Sequence, residues 1–364
     1  MAQANDWTIS KCLTWTAQYF AKHHLDNPRL EAEVLLGRAL DQTRVQVYMN
    51  LDQPMQPVEL ARYRELIKRR IEGTPTAYLL GEKEFMSLTF EVNRQVLIPR
   101  PDTEVLVETA LELFGYSPQD KAGFTNAERL NEPQPAELAL EEELDQGGRL
   151  REGGLTIPRR PNELGSLEPQ KLLLIDVGTG SGNIAIALAR FLPQAKVIGL
   201  DISAKALEVA ARNAGRHEVS SRVAFYEGDL LAPLAEMPQM KGQIDLITAN
   251  LPYIPSDQLP HLMKEVLQEP IIALDGGRDG LMYYRRLVPQ ALEYLKPGGY
   301  LLLEIAHDQG RSARKLFSEG WEKVELRPDY AGRDRVVLAR TPLRDTGTGS
   351  LSRKRALKFV RRKV

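Results

Sequence analysis

Leu172-Leu173-Leu174-Ile175-Asp176-Val177-Gly178-Thr179-Gly180-Ser181-Gly182 decides the fold: a short apolar run closes on a carboxylate and opens into a glycine-rich turn. A continuous apolar run of this length, bounded by turn residues, is the pattern of a strand buried on both faces. Gly178, Gly180 and Gly182 let the backbone turn sharply and approach a ligand, and the helix expected next, Asn183 to Phe191, begins with unpaired N–H groups. The spacing is G-x-G-x-G, not the G-x-G-x-x-G of dinucleotide enzymes, and no phosphate-gripping lysine follows. Beyond it strand and helix alternate: Lys196 to Asp201, Ala204 to Ala214, Val223 to Glu227, Ile244 to Ala249, a helix through Tyr283 to Leu295, and Tyr300 to Ile305. This alternation predicts an α/β fold with a parallel sheet covered by helices on both faces.

The chemistry collects at the ends of those strands. About twenty residues past the turn, Asp201 ends its strand, where a carboxylate accepts both ribose hydroxyls of a nucleoside. A glycine turn alone is as readily an ordinary strand-to-helix corner, and Asp201 moves the reading to a cofactor site. In Gly228-Asp229-Leu230, Asp229 suits an adenine amino group and Leu230 its ring, although Gly-Asp after a strand is also common turn chemistry. The strand Ile244 to Ala249 then delivers Asn250-Leu251-Pro252-Tyr253 to the carboxyl edge of the sheet. Asn250 offers an amide oxygen, and Pro252 restrains Leu251 so that its carbonyl is a second acceptor. Tyr253 is suited to pack on a planar group. Two acceptors facing one NH2 aim its nitrogen at a methyl donor. An Asn-Pro turn is the plainer reading of the tetrad, but its place at the strand end after the cofactor loop favours a site. The expected cofactor set is Gly178, Thr179, Gly180, Ser181, Gly182, Asp201, Asp229, Leu230 and Asn250. The expected catalytic and substrate-binding set is Asn250, Leu251, Pro252 and Tyr253. Together they point to methyl transfer from S-adenosylmethionine to an amide or exocyclic amine nitrogen.

The 364 residues carry 43% hydrophobic and 27% charged side chains, ordinary for a soluble enzyme, and a net charge of -1 gives no global pull toward nucleic acid. The single cysteine, Cys12, excludes an intrachain disulfide and reads as a buried thiol on an amphipathic helix. Met1 to Asp6 does not resemble a leader and no run suits a membrane span, so a cytoplasmic protein is expected. The histidines His23, His24, His217, His261 and His307 are scattered without metal-ligand spacing, and no metal is expected.

The start of the chain reads as helices. Asn27 is the expected cap of a helix opening with Pro28, and another runs from Pro57 to Ile71 with Arg62, Lys68, Arg69 and Arg70 on a solvated face. From Lys83 to Ile98 the period changes to that of a β-hairpin. In Ile98-Pro99-Arg100-Pro101-Asp102-Thr103-Glu104 two prolines stiffen the approach to a helix over Thr103 to Phe114. The expected division is a helical substrate-recognition domain over 1–81, a hairpin linker over 82–100, and a catalytic domain over 101–342. Within the last, residues 115–170 are rich in Pro, Gly and Glu and read as a largely disordered surface insertion. Residues 343–364 form a basic tail, a solvated segment by default and an RNA or ribosome contact by the sharper reading.

The chain resembles the HemK-type (PrmC-type) protein-(glutamine-N5) methyltransferases that modify the Gly-Gly-Gln loop of peptide chain release factors. The matching residues are Gly73-Thr74-Pro75-Thr76-Ala77-Tyr78-Leu79-Leu80-Gly81, Glu84-Phe85, Leu97 to Glu104, the cofactor loop, Glu269-Pro270, Ala273 to Leu281, and Tyr330 to Arg335. The resemblance implies a Rossmann-like class I S-adenosylmethionine-dependent methyltransferase sheet with an N-terminal helical domain joined by a β-hairpin. It also implies S-adenosylmethionine as cofactor and release factors as partners, recognised by the N-terminal helices. A monomer is the default. The family's tetrad is Asn-Pro-Pro-Tyr, and Leu251 departs from it, although only a backbone carbonyl is needed there. Asn-Leu-Pro-Tyr also resembles the motif of rRNA adenine-N6 dimethyltransferases. Glutamine methylation of a ribosomal protein and adenine-N6 methylation of nucleic acid are therefore the alternatives, and a non-catalytic adaptor is the third class.

Overall fold

The computed structural model describes residues 7–116 and 172–343. The expected disordered insertion from 117 onward and the basic tail beyond 343 lie outside the described residues.

Five helices come first: α1 (Ile9–Lys22), α2 (Pro28–Leu40), α3 (Arg44–Met49), α4 (Pro57–Ile71) and α5 (Thr76–Leu80). Thr8 caps α1 by accepting from the Lys11 N–H, and Ile9, Cys12, Leu13, Thr16 and Phe20 recur at helical spacing on its buried side. Burial pushes the Cys12 thiol up to about 11, as befits an inert core cysteine. Asn27 does not cap α2 with its side chain. A side-chain cap needs extended backbone there, and Asn27 is left-handed at φ 49°. Arg70 is not solvated either: it is buried, with Glu31 at 2.8 Å and Glu265 at 2.7 Å. Its planar fork can satisfy both carboxylates at once, and so ties α2 and α4 to the loop before residue 269.

The hairpin is shorter than expected. Strands β1 (Glu82–Phe85) and β2 (Leu88–Glu91) pair through a two-residue turn in which Met86 and Ser87 both take positive φ. Residues 92–103 run on as a strap, pinned where the Tyr78 hydroxyl donates to the Val96 carbonyl at 2.6 Å. The strap ends in a 3-10 turn, Pro101–Thr103, and leads into α6 (Glu104–Leu113).

The remaining elements are β3 (Leu172–Val177), α7 (Asn183–Phe191), β4 (Ala195–Asp201), α8 (Ala204–Arg216), β5 (Val223–Glu227), β6 (Ile244–Ala249), α9 (Met282–Tyr294), β7 (Leu295–Glu304), α10 (Gly310–Arg314), β8 (Lys323–Pro328) and β9 (Asp334–Arg340). Among the described residues, seven strands form one sheet in the order β5-β4-β3-β6-β7-β9-β8. The first five are mutually parallel, while β9 runs antiparallel to both β7 and β8. The sheet is thus not parallel throughout. In β8, charged and apolar residues alternate and Pro328 closes the strand, as an exposed edge requires.

Successive side chains of a strand point to opposite faces. Leu174, Leu246 and Leu302 pack under α6, α7 and α8, whereas Leu173, Ile175, Ile247 and Leu301 pack against α9. The chain leaves β3 toward β4 on one side and later returns to β6 on the other. That reversal opens a crevice at the carboxyl ends of β3 and β6, the place where open α/β sheets bind ligands. Among the described residues no helix is long and apolar enough to cross a membrane.

Candidate active site

A cleft occupies the switch point. Its walls include Gly178, Gly180, Asp201, Asp229, Asn250 and Leu251, together with the strap residues Arg100 and Thr103. The cofactor loop is fastened to the neighbouring strand, since Gly178 and Thr179 donate their N–H groups to the Leu200 carbonyl at 2.8 and 3.0 Å. Gly178, Gly180 and Gly182 all take positive φ. At Gly178 the reason is sterically explicit: an added Cβ would stand 2.8 Å from Leu251 Cδ2. The cofactor loop and the tetrad are therefore in direct contact.

Asp201 closes β4 at the rim of the cleft. Its two carboxylate oxygens accept from Gly180 N–H at 2.8 Å and Ser203 N–H at 2.9 Å, which fixes the group at the cleft wall. Burial raises its pKa, against the backbone donors that favour the charged form. Beneath the loop Asp176 is fully enclosed and accepts from the hydroxyls of Thr179 at 2.7 Å and Thr248 at 2.9 Å. Burial dominates there as well and lifts the carboxyl to about 7. Ser181 is buried, and its carbonyl accepts from Asn213 at 2.9 Å. Leu230 lines the cleft at φ 52°, a left-handed backbone that a bulky side chain rarely adopts and that marks strain held at a ligand wall. Asp229 lines the cleft too, but its carboxylate is paired with Arg286 on α9. An adenine amino group would share Asp229 with that guanidinium.

The tetrad follows β6 without a break. Asn250 Nδ2 donates to Thr103 Oγ1 at 3.1 Å, and among the described residues Oδ1 has no protein partner. The Leu251 N–H donates to the Tyr284 hydroxyl at 3.3 Å, and that hydroxyl lies against both the Leu251 carbonyl, at 3.1 Å, and the Glu304 carbonyl. A single hydroxyl proton serves one of these carbonyls at a time, so the second acceptor of the tetrad keeps bonding capacity. Tyr253 departs from the expectation. It does not line the cleft, and its side chain lies near Glu304, Arg335 and Arg100, where burial first and Glu304 second raise its pKa. The aromatic ring on the cleft wall is Tyr283. The Tyr253 carbonyl accepts from Gln309 at 2.9 Å, and Gly280 passes so close to it that a side chain there would collide.

One residue at the site, Glu304, was not singled out in the sequence, and Glu269 appeared there only as part of the family resemblance. Glu269, buried, accepts from the Ile98 N–H at 2.9 Å and pairs with Arg100, so it anchors the strap along the cleft. Glu304, at the end of β7, is buried behind the tetrad, and burial lifts its carboxyl to about 7 against the Thr103 hydroxyl and the Arg335 charge. The only sequence signal for Glu304 was an acidic residue directly after the apolar run Leu301-Leu302-Leu303.

Residues 11–81 match the family model described as the PrmC N-terminal domain, and residues 170–329 match one described as a methyltransferase domain. A release factor glutamine methyltransferase of Geobacter sulfurreducens is 40% identical over 336 residues, covering 92% of this chain and 97% of that relative. The enzyme of the same name from Moorella thermoacetica is 38% identical over 335 residues, 91% of this chain and 98% of its own length. Among solved structures, TrmN from Thermus thermophilus aligns over 47% of this chain and 44% of that one at 22% identity and a TM-score of 0.33, too slight a likeness to argue from.

Proposed function

The chain belongs to the release factor glutamine methyltransferase family, and we propose from that premise that it methylates N5 of the glutamine in the Gly-Gly-Gln motif of peptide chain release factors, using S-adenosylmethionine. The observation that carries the reading is the contact between Leu251 and Gly178, which brings the tetrad against the glycine loop in a cleft that Asn250 also lines. The cleft suits the cofactor. An added Cβ at Gly180 meets no atom within 4 Å, and Asp201 holds two fixed carboxylate oxygens that suit a ribose diol.

When bound, S-adenosylmethionine supplies a methyl group already carrying a good leaving group. The chain's task is to position and activate a poor nucleophile, an amide nitrogen whose lone pair is delocalised into its carbonyl. Asn250 Oδ1 and the Leu251 carbonyl would accept the two hydrogens of the substrate NH2 and rotate the nitrogen lone pair toward the methyl group. The same acceptors stabilise the positive charge that grows on nitrogen. Pro252 holds the Leu251 carbonyl in place, and Tyr253 closes the site from behind. Such positioning is worth roughly 7–11 kcal/mol of the barrier. Asn250→Ala should lose about 2.7–4 kcal/mol of transition-state stabilisation, as removal of one preorganised polar contact does; single-turnover rates equal to wild type would remove Asn250 from the mechanism.

The N-terminal helices, with Trp15, Tyr48 and Met49 exposed on them, are the proposed recognition surface for the protein substrate. The decisive experiment presents purified protein with labelled S-adenosylmethionine and its release factors, alongside Gly-Gly-Gln→Gly-Gly-Asn versions and an rRNA control. Label confined to the Gln-bearing factors is expected. Label on RNA alone would overturn the reading in favour of adenine methylation.

A further inference from the structure

Between the tetrad and α9 the chain makes an excursion that borders the cleft without a core of its own. It forms 3-10 turns at Val266–Gln268 and Ile271–Ala273, and neither turn buries a residue. Ile271 and Ile272 stand about half exposed, yet Pro270, Ile272 and Ala273 line the cleft. A wall with so little apolar burial keeps its place through the polar contacts at its ends.

Those contacts reach in different directions. Before the first turn, Glu265 accepts from Arg70 Nη1 at 2.7 Å, and an added Cβ at Gly73, just past α4, would stand 3.2 Å from Lys264 Cβ. One turn later Glu269 accepts from the Ile98 N–H at 2.9 Å and pairs with Arg100, which joins the wall to the strap. Past the second turn, directly after the tetrad, Ile254 donates its N–H to the Leu274 carbonyl at 3.1 Å and accepts from the Gly276 N–H at 2.8 Å. The wall is thus pinned to the N-terminal helices, to the strap and to the tetrad.

The first of these pins crosses from one part of the chain to the other. Arg70 is 5% exposed, and its Nε donates to Glu31 on α2 at 2.8 Å, while the Thr76 hydroxyl bonds to the same Glu31 carboxylate. The guanidinium is therefore set by the helical domain itself. Its donors point in fixed directions, so Arg70 dictates where the more exposed Glu265 must lie. We propose that Arg70 and Glu265 are positioning residues, a clasp through which the N-terminal domain holds the wall at 270–273 against the methyl acceptor. The wall is bonded to the residue that follows Tyr253, which assigns it to the acceptor rather than to the nucleoside at Asp201. The inference deepens the glutamine-methylation reading and rests on it.

Glu31 supplies the control for the test. Loss of either carboxylate costs Arg70 one partner, but only Glu265 belongs to the wall. Glu265→Ala, Glu265→Gln and Glu31→Gln are compared with wild type in steady-state methylation of a release factor at saturating S-adenosylmethionine, with cofactor affinity read by calorimetry. Glu265→Ala should raise the KM for the release factor about tenfold, the lower end of what a hydrogen bond to a charged group is worth, with kcat and cofactor affinity close to wild type. Glu265→Gln, which keeps an acceptor oxygen for Arg70, should recover part of the loss, and Glu31→Gln should keep a KM near wild type. An unchanged KM in Glu265→Ala, a Glu31→Gln variant equally impaired, or a cofactor affinity that falls as far as KM rises would overturn the proposal. A second arm needs no methyl acceptor: amide hydrogen exchange over residues 264–275 should quicken in Glu265→Ala and hold steady in Glu31→Gln. Unaltered exchange in Glu265→Ala removes the clasp even where wild type labels release factors. Quickened exchange in a protein that labels only RNA keeps the clasp and sinks the substrate reading alone.

Discussion

Replacing Gly178 with alanine tests the joint between cofactor loop and tetrad. Two costs arise, and the structure separates them. Gly178 has φ +71°, and an L-residue in left-handed backbone costs about 1–2 kcal/mol. The new methyl would also stand 2.8 Å from Leu251 Cδ2, and overpacking a buried contact of this kind costs about 1–3 kcal/mol. The total, about 2–5 kcal/mol, should lower the thermal midpoint by several degrees and weaken cofactor binding by calorimetry. Leu251→Ala supplies the control. Alone it leaves a cavity, but in the double variant the methyl added by Gly178→Ala has room and fills part of it. Stability losses should therefore not add: the cycle should show a coupling of about 1–3 kcal/mol that favours the double variant. The backbone cost remains in both backgrounds. Strict additivity would mean that the loop and Leu251 do not touch as described, and the cofactor loop would then have no steric hold on the tetrad.

Asp201→Ala should weaken the cofactor by about 1.5–3 kcal/mol for each hydrogen bond lost from a charged group; an unaltered calorimetric affinity would count against the diol role. Burial holds the Asp176 carboxyl at about 7 in the folded chain against an ordinary 3.8, so the folded form retains a proton that the unfolded chain gives up. Stability is then lost as pH rises between those values, by about 4 kcal/mol at roughly 1.4 kcal/mol per unit. Glu304 and Asp201 act with the same sign, so Asp176→Asn should shrink, without abolishing, the loss of denaturation midpoint between about pH 4 and about pH 8; an unchanged slope would refute it. Glu269→Ala leaves the Ile98 N–H without its acceptor and Arg100 without its partner, and should cost about 1–3 kcal/mol in urea denaturation. Wild-type stability would show that the strap is held by something else.

The fold was legible where burial is symmetric and poorly legible where it is not. Leu172–Val177 and Ile244–Ala249 are covered on both faces, and the apolar runs announce strands without need of context. Strands β8 and β9 went unread because their direction depends on pairing, which local pattern does not encode. Arg70 misled for a related reason. Its helix position looks exposed, and only the arrival of Glu31 from α2 and of Glu265, 195 residues away, makes burial tolerable. Asn27 and Pro28 signalled a helix start correctly, but the cap failed on a backbone angle invisible to residue type.

The strand-end half of the cleft reads from the sequence for a physical reason: each residue follows a strand whose own burial marks where it ends. Asp201 and Asn250 are delivered by β4 and β6, and counting from the apolar run locates both. The machinery behind them has no such address. Thr103 comes from a 3-10 turn, Glu304 from β7 and Arg335 from β9, segments far apart in sequence that meet only when the sheet closes over the strap. The tetrad is contiguous and so legible, whereas the Thr103 hydroxyl that accepts from Asn250 belongs to a turn 147 residues away that no local pattern links to it.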